Sequence, residues 1–425
     1  MKSILISAIA LIGAITIGQA QQLPNWRPYD KNGLNMFEPP KDTATTFKDV
    51  RVKVGGAFAL QYQALDHENN ATPVLVNNVN TTELIAIGNN FNLATANLDL
   101  DVELYDGVNL HLRTYLSSRH HPEPYVKGGY IQIDKLNFIR QGFLAETMKY
   151  MTIKIGHMEN NYGDAHFRRS DNALALYNPF VGNYIMDAFT TEVGAEVYYQ
   201  RNGWLAMVGA TNGKLNQGAN NPGKTSPSTM LKLGYDKQIN DDFRFRLTGS
   251  LYHTAHSQRT YLYGGDRAGS RYYFVMENTT ATSKDNYSSG LIVPGFTNEL
   301  TAIMINPFIR YKGIEFFGLV EKTSGKATAE TDTRDFTQIG AELLYRFGKN
   351  ENLYVGGRYN NVTGETRAGE DVDVTRFNFG GGWFMTKNIL AKIEYVNQKY
   401  DGYNANNILH DGKFNGFVFE AVISF

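Results

Sequence analysis

The chain has 425 residues, and 41 Lys and Arg stand against 42 Asp and Glu, so a net charge of −1 leaves no electrostatic footprint for nucleic acid. The absence of cysteine excludes a disulfide framework, thiolate metal sites and a cysteine nucleophile. Forty-one glycines, 13% aromatics and a mean hydropathy of −0.36 describe a chain rich in strand formers and too polar for helical membrane spans.

Met1–Ala20 begins with Lys2, runs uncharged from Ile4 to Ile17 and closes on Gly18-Gln19-Ala20. It reads as a secretory signal peptide, because the apolar run of about fourteen residues is shorter than the ~20 a spanning helix needs. Residues 21–48 are polar, carry Pro24, Pro28, Pro39 and Pro40, and read as a periplasmic extension or a small plug ahead of a barrel over 49–425.

That barrel is predicted from period-two alternation. Val50, Val52, Val54, Phe58, Leu60 and Tyr62 alternate with Arg51, Lys53, Gln61 and Gln63, over about fourteen residues where a globular strand has five or six. Ala94 to Tyr105 repeats the pattern, turns at Asp106-Gly107 and returns through Val108 to Leu116. Strands are then predicted near Gly129–Phe138 and Met151–Met158, with a turn through Gln141-Gly142. Paired strands follow across Arg201-Asn202-Gly203, Asn240-Asp241-Asp242, Lys312-Gly313, Gly348 to Glu351 and Thr386 to Asn388, and Phe414–Phe425 completes the set.

This gives about sixteen strands, joined alternately by seven short turns and eight longer polar loops. The loops fall near Asp66–Gly88, Ser118–Lys127, Glu159–Thr190, Asn212–Thr229, Ala255–Glu299, Thr323–Arg334, Thr363–Asp371 and Tyr400–Lys413. Such alternation predicts an all-β, transmembrane up-and-down antiparallel β-barrel with long extracellular loops and short periplasmic turns. Stacked soluble sandwiches would show no systematic difference between their two ends.

A cation on the lipid face at mid-bilayer costs about 2–4 kcal/mol, so charge placement reports the lumen. Parity puts Arg51, Lys53, His111, Arg113, Lys154, Arg244, Arg246 and Arg376 inside, with Asp99, Asp101, Glu192 and Glu196. Lys232, Arg310, Arg346, Arg358 and Lys392 share that parity with Glu103, Glu342 and Glu394. Sixteen strands leave an aqueous channel, and opposed charges across it would filter small hydrophilic solutes or ions.

The run Ile153-Lys154-Ile155-Gly156-His157-Met158, then Tyr162-Gly163, a polar loop and Glu192-Val193-Gly194-Ala195-Glu196-Val197, resembles the phosphate-selective porin O/P family of bacterial outer-membrane barrels. His157 stands where that family has Gln, Asn161 where it has Pro, and the third loop carries no lysine ladder. The resemblance implies an outer-membrane location, a homotrimer, and a passive channel with a preference for anions or phosphate. It also implies that the third long loop, Glu159–Thr190, folds into the barrel as a constriction. Arg168 and Arg169, with His157, His166, Asp164 and Asp171, are then the candidate constriction charges; alternatively the Arg pair ties the loop to acidic wall residues such as Glu192. A final strand ending in Phe425 resembles the signature read by the barrel-assembly machinery. The Ala255–Glu299 loop, with Tyr261, Tyr263, Tyr272, Tyr273 and Phe274, is predicted to hold a hairpin and either to line a sugar vestibule or to pack a lid.

No cofactor or metal motif emerges. His120-His121 and His253-x-x-His256 have no carboxylates at zinc-ligand spacing, Gly380-Gly381-Gly382 reads as a bend or close approach within a strand, and no phosphate-binding fingerprint is present. Ser and His are common enough that pairs such as Ser250 and His253 carry little weight for a barrel lipase. The reading is a porin, not an enzyme, with a non-conducting surface-binding barrel as the alternative.

Overall fold

A computed structural model describes residues 26–41, 47–117, 124–213, 225–265 and 269–425. The expected signal peptide Met1–Ala20 lies outside them, as do parts of the Ser118–Lys127 and Asn212–Thr229 loops.

Sixteen long strands form one closed antiparallel meander. They are β1 Arg51–Glu68, β2 Thr95–Tyr105, β3 Val108–Leu116, β4 Tyr125–Ile133, β5 Met151–Glu159, β6 Thr191–Arg201, β7 Trp204–Thr211, β8 Ser228–Gln238, β9 Phe243–Thr254, β10 Glu299–Tyr311, β11 Ile314–Lys326, β12 Arg334–Phe347, β13 Leu353–Glu365, β14 Asp371–Phe384, β15 Ile389–Asp401 and β16 Lys413–Ser424. Each pairs with the next, and β16 closes on β1 with Ser424 opposite Ala57 and Lys413 opposite Glu68. β1 changes partner along its length, pairing with β2 from Arg51 to Ala59 and with the two-residue strand Asn90–Phe91 at Tyr62 and Gln63.

The β6–β7 hairpin shows why the tight turns form where they do. Asn202 and Gly203 both adopt positive φ, at 53° and 90°, the backbone that a two-residue hairpin matched to strand twist requires. Along each strand the alternation sorts polarity. Val52, Val54, Leu231, Leu233, Ile303, Leu343 and Phe379 stand exposed on the outer surface, while Lys232, Glu321, Glu342, Arg358 and Glu394 are buried within. The exterior is greasy and the interior charged, the reverse of a soluble sandwich, and it marks the outer face as the one that meets lipid.

Several boundaries differ from expectation. The fourth strand ends at Ile133, five residues before Phe138, because the chain there is captured beneath the β2–β3 turn. Asp134 and Lys135 both donate their backbone N–H to Gly107 O, and the Lys135 and Asn137 side chains reach Asp106. The β4–β5 connection is thus a seventeen-residue segment with one helical turn, Ala145–Met148, at the end otherwise closed by short turns. At the other end, the β13–β14 loop is only five residues, so the two ends differ in character rather than strictly in length. The described residues of the Ala255–Glu299 loop contain no strand pair; a short hairpin, Leu75–Val76 with Val79–Asn80, lies instead in the first long loop.

Candidate functional site

Among the described residues, three segments enter the barrel. The first is the third long loop, which leaves β5 and turns inward at Gly163, where φ is +69° and a Cβ would collide with Met304 of β10. Asp164 then accepts from Arg246 Nε at 2.8 Å, Arg246 Nη2 at 2.7 Å and the Thr248 hydroxyl at 2.7 Å, with Lys232 Nζ 2.8 Å away. Burial opposes ionisation of Asp164, but the Arg246 and Lys232 charges outweigh it and hold its carboxyl down to about 2. Further along, the Tyr184 hydroxyl donates to Glu342 at 2.9 Å, Arg358 donates to Gly182 O at 2.6 Å, and the Val181 N–H donates to Glu394 at 2.8 Å. Gly340 makes room for Tyr184, whose ring a Cβ at 340 would strike.

The second insert is the stretch Trp26–Lys41, which lies inside the barrel and packs against the third loop. The Tyr29 hydroxyl donates to Asp101 at 3.3 Å, the Asn35 amide to Glu315 at 2.6 Å, and Lys41 to Asp134 at 2.9 Å. Phe37 meets Phe167 and Phe308 edge-on. Glu38 lies 2.8 Å from Arg246 and 3.0 Å from Lys232, and these cations overcome burial and hold its carboxyl well below the usual range. The third insert is the loop between β9 and β10. Its Tyr272 hydroxyl donates to Glu394 at 2.6 Å, its Arg271 pairs with Glu420, and its Gly290 O accepts from Arg376 at 2.8 Å. It touches the third loop where the Ile292 N–H donates to Ile185 O at 2.8 Å.

Between these inserts an open space lies against β3–β6. It is a cavity of about 180 Å³ between the Trp26–Lys41 segment, the third loop and that wall. Five cations line it, Arg27, Arg113, Lys127, Lys154 and Arg169, against three carboxylates, Glu38, Glu159 and Asp171, together with His111, His157, His166 and eight aromatic rings. Burial pushes the Arg27 guanidinium down to about 10 and the Tyr177 hydroxyl up to about 12.

Of the residues predicted from sequence to line the pore, His111, Arg113, Lys154, His157, His166, Arg169 and Asp171 meet at this cavity. His111 Nδ1 lies 2.7 Å from Asp101, and Arg113 donates to Asp99 at 2.6 Å and to Asp171 at 3.1 Å. Lys154 faces the rings of Tyr130 and Tyr198. His157 bonds Thr191 at 2.9 Å, and His166 bonds Glu159. Arg169 donates bidentately to Asp187, at 2.9 Å and 2.6 Å, with its guanidinium over Phe189.

The others lie elsewhere. Arg168 faces away from the cavity, donating to Glu315 at 2.8 Å and Glu342 at 2.9 Å; these wall carboxylates, and not Glu192, anchor it. Glu192 accepts from Tyr252 at 3.0 Å and from Thr211, and Glu196 from the Asn161 N–H at 3.1 Å. Asp99 and Asp101 stand behind Arg113 and His111. Arg51 pairs with Glu103, Lys53 faces the Tyr29 ring, Arg244 pairs with Asp236, Arg246 holds Asp164, and Arg376 is saturated by Gln398, Asn183 O and Gly290 O. Sequence reasoning missed Trp26 and Arg27. Their signal was the aromatic content of a nominal extension, in which Trp26, Tyr29 and Phe37 are too apolar for a solvated tail.

No family model matches the sequence, and no curated protein matches it. Solved structures do match in fold. Outer-membrane expressed OmpT of Vibrio cholerae aligns with a TM-score of 0.51 at 12% identity, over 90% of this chain and 99% of that one. The outer membrane channel DcaP of Acinetobacter baumannii aligns at 0.50 and 10%, over 89% and 98%. An anion-selective porin from Comamonas acidovorans aligns at 0.52 and 12%, over 89% and 100%. With an apolar exterior, a charged interior and an inserted third loop, the chain therefore has the fold of the outer-membrane porins: a closed, sixteen-stranded, membrane-spanning β-barrel.

Proposed function

We propose that the protein is a porin-type channel of the bacterial outer membrane that passes small hydrophilic solutes with a preference for anions. The observation that carries this reading is the charge of the remaining free space. Five cations line it against three carboxylates; Arg113, Lys127 and Arg169 pair with Asp99, Asp171 and Asp187, which leaves Arg27 and Lys154 with no directly paired carboxylate among the described residues. A low-dielectric wall focuses the surplus positive field on whatever passes. The anion selectivity of the Comamonas acidovorans porin agrees with this direction. A preference for phosphate among anions rests on the sequence resemblance.

A second reading, a non-conducting barrel, is favoured by the lumen's three inserts. Reversal potentials in planar bilayers across a KCl gradient separate the two. An ohmic current with a reversal potential on the chloride side supports the channel; no current establishes a sealed barrel, and a cation preference refutes the charge argument. A homotrimer, as in the trimer form described for OmpT of Vibrio cholerae, and delivery to the assembly machinery through Phe425 belong to the same proposal. Crosslinking in the membrane and the assembly rate of Phe425→Ala test them.

A further inference from the structure

Two of the cavity's cations differ from the rest. Arg113 and Arg169 are each paired with carboxylates. Lys154 is not: Glu196, its cross-strand neighbour on β6, turns to the Asn161 N–H and the Tyr198 hydroxyl, and Gln132, its neighbour on β4, donates to Asp134 at 2.9 Å. Lys154 Nζ lies instead 4.9 Å and 5.5 Å from the ring centroids of Tyr198 and Tyr130. Arg27 donates to two backbone carbonyls, Gly33 O and Phe167 O, each at 2.9 Å, and stacks 3.5 Å over Tyr177. Among the described residues neither has a carboxylate within 4.0 Å. Cations lodged in a cavity wall ordinarily carry a paired carboxylate, and among the described residues none pairs directly with either.

The surroundings specify what would supply it. A bare inorganic anion would meet the cations but leave the aromatic walls unused, and would give up hydration against them. A neutral solute would leave both charges uncompensated. An organic anion with a flat apolar body satisfies both features, its head meeting the cations and its body the rings.

We propose that this cavity is a binding site for small aromatic carboxylates, drawn by the uncompensated charges of Arg27 and Lys154 and seated against Tyr130, Tyr198 and Trp26. The site is a station on the passage proposed above and rests on that reading for its role in transport. It also makes the Trp26–Lys41 segment part of the filter, since one of the two cations comes from it.

Isothermal titration of the folded, detergent-solubilised full chain with benzoate, benzyl alcohol and inorganic phosphate tests the proposal. Saturable benzoate binding at least about tenfold tighter than either of the others is expected, the scale of one charge-assisted hydrogen bond. Lys154→Gln and Arg27→Gln are expected to weaken benzoate about tenfold each while Lys154→Arg retains it, with heat-modifiable migration verifying that every variant folds. Equal binding of benzyl alcohol or phosphate overturns the site, as does benzoate affinity unmoved by both Gln variants. Saturable benzoate binding without bilayer current upholds the site and refutes the channel; anion-selective current without benzoate discrimination does the reverse.

Discussion

Arg168 and Arg169 are adjacent in sequence and have separate tasks. Arg168 crosses to Glu315 and Glu342, 147 and 174 residues away, while Arg169 holds Asp187 at the cavity. Truncating one partner of a buried ion pair strands the other, at a cost of about 3–5 kcal/mol. Arg168→Gln is therefore expected to lower the barrel's resistance to denaturant by a few kcal/mol, less whatever Arg346 and Arg358 recover, and to leave reversal potentials near the parent value. Lys154→Glu is expected to do the opposite, since Lys154 has no partner to strand: little change in stability and a reversal potential moved toward cations. Parity in the sequence assigns Lys154 to the inner face, because that needs only the pleat, whereas Arg168 and Arg169 lie in a loop that parity does not reach. Their partners were not legible, since nothing local in Arg168 or Glu315 records that the loop will bring them together.

The inserted elements are held mostly by charge, so their attachment depends on acidity. Asp164 and Glu38 both ionise more readily in the folded protein than in an unfolded chain, so they stabilise it fully above the unfolded carboxyl range near pH 4. That contribution fades as pH falls from about 4 toward the folded value of about 2. Pepsin cleavage within 159–190 is expected to be negligible at the upper end of that window and to rise toward the lower. Replacing residues 26–41 by a Gly/Ser linker of equal length is expected to raise single-channel conductance several-fold and abolish benzoate binding; unchanged conductance would mean that this segment does not obstruct the passage. Strands were the most legible elements, because alternation over a dozen residues admits few other readings. The Trp26–Lys41 segment was not, for its conformation comes from Asp101, Glu315 and Asp134, which only the closed cylinder presents to it.

Across the whole molecule, polarity is inverted, and the hydrocarbon polices the outside as strictly as water polices the surface of a soluble protein. Leu343, exposed on β12, is opposed in register by Gly357 and Phe316. Leu343→Arg is expected to lower folding stability in lipid vesicles by about 2–4 kcal/mol, measured by urea titration, with a smaller change in detergent. The barrel class was legible at this scale from strand length and the alternation of connections, whereas the entry of the third loop followed only from the family resemblance, since a loop's sequence does not itself declare which side of a wall it will take. Among the described residues, the filling of the lumen leaves a cavity against the wall formed by β3–β6. A solute there travels one strand's thickness from a medium that barely polarises, and any ion beside such a medium is pushed away by its own image, whatever its sign. On the proposed reading, fixed positive groups such as Arg27 and Lys154 would offset that push for anions alone, so a cation entering by this side would be opposed twice over.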